Sequence, residues 1–76
     1  MQDLLEDIAR RLVDEPDAVR VERIERDDAT VLRLHVAQED IGKVVGRQGR
    51  IARALRQLVR AYSGRHQRRV LLEIAD

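Results

Sequence analysis

Apolar residues recur along this chain with two periods, and the period switches three times. Leu4, Leu5, Ile8, Leu12 and Val13 fall three and four residues apart, with Glu6, Asp7, Arg10 and Arg11 between them, which predicts an amphipathic helix. Asp3 followed by Glu6 has the spacing of a capping box, and Pro16 is expected to end the helix by Asp14 or Glu15. Val19 and Val21 then alternate with charged residues, and Ile24 follows out of phase, as in a strand with a bulge or register break. Arg26-Asp27-Asp28-Ala29-Thr30 is a turn, and Leu32, Leu34 and Val36 alternate with Arg33 and His35 as an antiparallel partner strand.

From Glu39 the period is helical again. Ile41, Val44 and Val45 form one face of a short helix interrupted by Gly46 and Gly49. Ile51, Leu55, Leu58, Val59 and Tyr62 line a longer helix that stops near Ser63-Gly64, where glycine suits a helix end. Val70, Leu72 and Ile74 alternate with Leu71 and Glu73 as a third strand. The predicted order is α-β-β-α-α-β, an α+β fold with a three-stranded sheet and helices packed on one face. With 76 residues, the chain supports a single domain, 1–76, with a thin core and no linker or repeat.

Composition alone says little, since fifteen Lys/Arg against fourteen Asp/Glu leave +1. Divided along the chain, the charge is segregated. Residues 1–40 carry six Arg and twelve acids, a balance of −6; residues 41–72 carry nine Lys/Arg and no acid, +9; residues 73–76 add −2. A cationic block of that kind is the electrostatic footprint of a nucleic-acid or membrane-surface partner. The acidic first half is expected to balance it without entering the site. No cysteine is present, so disulfides, thiolate chemistry and Cys-based zinc sites are excluded, in keeping with a cytoplasmic setting. No apolar run approaches the ~18 residues of a membrane span. His35 and His66 are isolated, so neither catalysis nor a metal or other cofactor site is expected.

The cationic block contains Ile41-Gly42-Lys43-Val44-Val45-Gly46-Arg47-Gln48-Gly49-Arg50-Ile51. A tight turn between two helices needs backbone angles that glycine adopts cheaply, which accounts for Gly46 and Gly49. The loop feeds into a helix N-terminus, where unpaired N–H groups and the helix dipole suit a phosphate. Arg47 and Arg50 add charge beside those donors. Neither the Walker pattern nor G-x-G-x-x-G is present.

The stretch Val44-Val45-Gly46-Arg47-Gln48-Gly49-Arg50-Ile51 resembles the [I/V]-[I/V]-G-x-x-G-x-I signature of KH RNA-binding domains. The element order resembles the type II form, and the whole chain is similar to the small, free-standing bacterial proteins of KhpA type. That resemblance implies a cytoplasmic protein clamping about four nucleotides of single-stranded RNA, acting as an RNA chaperone or post-transcriptional regulator. It implies a GxxG loop made of Gly46, Arg47, Gln48 and Gly49, with Lys43 and Arg50 beside it and groove positions at Ile41, Gly42, Val45 and Ile51. It further implies a homodimer, or a heterodimer with a second KH-containing protein.

Two other features bear on nucleic acid. Arg53, Arg56 and Arg60 share the side of their helix opposite Ile51, Leu55, Leu58, Val59 and Tyr62. That stripe is either a phosphate track or a solvated face, and the Arg65, His66, Arg68, Arg69 cluster is open in the same way. A single Tyr, with no Phe or Trp, excludes recognition by stacked aromatic platforms and leaves aliphatic groups to meet the bases. Two alternatives belong to other classes: a protein-interaction module with incidental RNA binding, and a helix-turn-helix over residues 41–63 for duplex DNA.

Overall fold

The computed structural model describes residues 1–46, 49–65 and 69–75. Helix α1 (Gln2–Leu12) is followed by a 3-10 turn (Pro16–Ala18), strands β1 (Arg20–Glu25) and β2 (Ala29–His35), helices α2 (Gln38–Val45) and α3 (Arg50–Gly64), and strand β3 (Arg69–Ile74). The sheet order is β1-β2-β3, with β1 antiparallel to β2 and β3 parallel to it. A parallel return needs a long crossover, which α2 and α3 supply. None of the described helices is long and apolar enough to cross a membrane.

One sheet face carries the core. Val21, Leu32 and Leu34 pack there with Leu5 and Ala9 of α1 and Leu55 and Val59 of α3, and Val70 and Leu72 close the β3 side. The other face is open and laid out in cross-strand rows. Glu22, Arg33 and Glu73 pair in one row, with Arg33 bridging to Glu73 at 3.0 Å and to Glu22 at 3.8 Å. Ile24, Val31 and Leu71 pair in the next, in line with the cross-strand packing that stabilises sheets.

Those rows explain the phase of Ile24. The expected bulge is absent: β1 pairs with β2 in one unbroken register from Arg20↔His35 to Glu25↔Thr30. Ile24 is out of step with Val21 because it belongs to the opposite face, beside Val31. His35 lies on that open face as expected, its Nε2 3.1 Å from Glu22 Oε1.

Helix α1 departs from expectation at its start. Met1, not Asp3, is its N-cap, and no side chain caps it. Glu6 is engaged instead with Arg10, four residues on, so the capping box does not form. The helix ends at Leu12, before Asp14, and Pro16 opens the 3-10 turn, where its missing N–H costs nothing. Leu4 and Leu12 remain 49% and 40% exposed, so α1 meets the core through Leu5 and Ala9, with Ile8 half-buried beside them.

A candidate nucleic-acid interface

The site is built where α2 gives way to α3. Gly46 caps α2, its N–H donating to the Gly42 carbonyl at 2.7 Å. Its φ of −78° is ordinary, so the expected reason for glycine here is replaced by another: a Cβ would overlap the Gly42 carbonyl oxygen. Gly49 does need its freedom, with φ 62° and ψ 38° in the left-handed region. Its N–H donates to the Gly46 carbonyl at 2.8 Å, so the two glycines close one turn. Arg47 and Gln48, between them, lie outside the described residues.

Gly49 is the N-cap of α3. No side chain caps this helix, and its first turn holds no acid. Arg50, the first helical residue, is exposed. The positive end of a 15-residue helix thus opens beside an arginine, an arrangement that favours an anion.

From there α3 runs beside β3, and the two form a cleft. Arg56, Val59, Arg60 and Ser63 line the helix side, and Arg69, Val70, Leu71 and Leu72 the strand side. Ser63 Oγ accepts the Val70 N–H at 3.1 Å and ties the two walls together at one end. A second groove links Gly49 to Arg53, Arg56, Gln57 and Arg60. The arginine stripe is therefore no remote face: Arg56 and Arg60 border the cleft and the groove that leads to it from the loop. Among the described residues, Arg50, Arg56 and Arg60 have no carboxylate partner.

The remaining sequence candidates separate. Val45 is 46% exposed next to Gly46, and Gly42 is exposed with open space around it. Ile41 is half-buried; Ile51 is half-buried too, but packs against the core cluster. Of the second basic cluster, Arg65 is exposed, Arg69 lines the cleft, and His66 and Arg68 lie outside the described residues. Tyr62 is half-buried in a pocket with Met1, Gln2, Leu32 and Val70 on the core side of the sheet.

Lys43 is turned to the acidic half of the molecule. Its Nζ donates to Asp14 Oδ1 at 2.9 Å, and that hydrogen bond, reinforced by the charge of Asp14, raises its pKa above the usual lysine value. The expectation that the first half stays out of the site is corrected here, because the α1–β1 corner reaches α2. Asp40 is the residue sequence reasoning missed. Its carboxylate, 1% exposed, accepts the backbone N–H of Asp14 at 3.1 Å and of Glu15 at 3.0 Å. The only signal in the sequence was an acid in the first turn of a helix.

With this geometry in place, comparison with known proteins gives a consistent result. A family model described as "KhpA/KhpB, KH domain" matches residues 2–74. A protein named RNA-binding protein KhpA from Caldanaerobacter subterraneus subsp. tengcongensis is 49% identical over 74 residues, covering 97% of this chain and 99% of that one. Its namesake from Borreliella burgdorferi is 49% identical, covering 97% and 90%, and that from Aquifex aeolicus 45% identical, covering 100% and 96%. No solved structure matches the chain at a significant level.

Proposed function

The chain belongs to the KhpA/KhpB family of KH domains, and from that premise we propose that it binds short single-stranded RNA across the loop between α2 and α3. The observation that carries this reading is the start of α3: a left-handed glycine, no capping side chain, no acid in the first turn, and two grooves edged with arginine leading away from it. The first-turn N–H groups of α3, with Arg47, Gln48 and Arg50, hold the phosphate backbone. Missing side chains at Gly46 and Gly49 let it approach closely. Bases lie against Ile41, Gly42 and Val45 and along the apolar floor of the cleft, while Arg56, Arg60 and Arg69 carry the phosphate track onward. Ile51 supports this surface from below.

Without aromatic platforms, one copy reads bases through aliphatic contact and a few hydrogen bonds, so sequence preference is weak. Tighter binding then needs linked copies, as a homodimer or with a second KH-containing protein. The exposed Leu4 and Leu12, away from the loop, give such contacts apolar surface. A role as a cytoplasmic RNA chaperone or post-transcriptional regulator, performed by one domain over residues 1–76 without catalysis, follows from this reading.

The test is the double variant Arg47→Asp, Gln48→Asp. Two carboxylates facing the phosphates should weaken binding by on the order of 100-fold, with the far-UV circular dichroism unchanged. With about four phosphates neutralised, the parent should show a slope of log K against log[salt] near −3. Equal affinity of variant and parent in a gel shift would reject the loop as the phosphate clamp.

A further inference from the structure

Asp14 stands at the corner after α1, far from the glycine loop in sequence, yet it holds a member of the cationic segment. Its Oδ1 accepts from Lys43 Nζ at 2.9 Å, with the two side chains 74% and 43% exposed. The approach is enforced, because both oxygens of the buried Asp40 hold the corner through the Asp14 and Glu15 N–H groups. Asp40 and Lys43 are three residues apart on α2 and so share a helix side, and both meet the same corner. Lys43 lies in the last turn of α2, three residues before Gly46.

A lysine whose charge is already met by a carboxylate attracts a phosphate less than an unpaired one does. The pair is exposed, and exposed pairs exchange readily, so a nearby phosphodiester is able to take the ammonium. We propose that Asp14 is an intramolecular competitor of the RNA backbone for Lys43: the carboxylate occupies the ammonium in the free protein, and RNA displaces it. The inference rests on the RNA-binding reading above and adds to it an attenuator built into the fold. Lys43 contributes little to binding while Asp14 is charged, and more once that charge is removed.

The test uses the full chain and an unstructured oligouridylate, with binding followed by fluorescence anisotropy over a range of salt. Parent, Asp14→Asn, Lys43→Gln and the double variant are compared, with Asp17→Asn, an exposed acid three residues further on, as control for general charge. Asn at position 14 keeps the backbone N–H that Asp40 accepts, so the corner stays anchored. Asp14→Asn should bind about threefold to fivefold more tightly, with a salt slope steeper by about 0.7, the increment for one further phosphate on a single strand. Lys43→Gln alone should change affinity less than about twofold, and the gain from Asp14→Asn should vanish in the Lys43→Gln background. Asp17→Asn should give a smaller gain than Asp14→Asn. A corner with a merely structural role would weaken binding when altered and never tighten it. Equal or weaker binding by Asp14→Asn, a gain of equal size without Lys43, or an equal gain from Asp17→Asn overturns the competition. Absence of binding by the parent overturns the RNA-binding reading itself, and this proposal with it.

Discussion

Helices α2 and α3 begin in opposite ways. Both follow an N-cap that offers no side-chain bond, Ala37 for α2 and Gly49 for α3. At α2 the first turn holds Glu39 and Asp40, and Asp40 is spent on the corner between α1 and β1. At α3 the first turn holds no acid, and the arginines that follow at positions 50, 56 and 60 meet no carboxylate among the described residues. One helix start is settled inside the fold; the other is left with its dipole and its cations facing outward. The contrast separates charge that builds the molecule from charge that is available to a partner.

Breaking the settled end should give the largest effect on folding. Asp40→Ala removes a buried carboxylate that accepts the backbone N–H groups of Asp14 and Glu15, and should cost about 2–4 kcal/mol. For a domain of this size that is a fall in Tm of roughly 10–20 °C or more. An unaltered urea midpoint would mean that Asp40 does not anchor the corner. The loop substitutions at Arg47 and Gln48 act on the other end, with the opposite signature: RNA affinity falls while stability holds. The smallest effect belongs to Glu22 on the open sheet face, whose acid is also settled internally. Its pKa lies below the ordinary 4.5, chiefly through the hydrogen bond with His35 and then, against the opposing effect of burial, through the charges of Arg33, His35 and Arg20. A depressed carboxyl pKa contributes stability that is present above the unfolded value and lost as pH falls through the folded one. As pH falls below the ordinary carboxyl value the parent should therefore lose slightly more thermal stability than Glu22→Gln. Parallel acid limbs in the two melting profiles would remove Glu22 from the account.

Much of this was legible in the chain, and the illegible parts share a cause. Alternation gave both hairpin strands and the third strand, because residues two apart on a strand share a face whatever else the fold does. It misjudged Ile24, since alternation within β1 cannot reveal that Val31 and Leu71 build an apolar row on the second face. Helical pitch placed Arg53, Arg56 and Arg60 opposite the core but not beside a neighbour. Only the docking of β3 along the Val59–Ser63 side turns Arg56 and Arg60 into the wall of a cleft. Asp40 and Lys43 were readable as a first-turn acid and a last-turn base. Their partners lie 25 to 29 residues away, at a corner whose position depends on α1 docking over β1. Local signals gave the elements and the loop; the long-range contacts decided which charges remain outside.

The central claim is that RNA meets the α3 start and the cleft it leads to. It is tested most directly by titrating the isotopically labelled chain with an unstructured oligoribonucleotide and following each backbone amide by NMR. Shifts should concentrate at Gly46, Gly49 to Ala52, Arg56, Arg60 and Val70 to Leu72, with α1 and the Glu22–Arg33–Glu73 row unmoved. Shifts centred on α1 or on the open sheet face, with the amides of Gly49 to Ala52 unchanged, would contradict it.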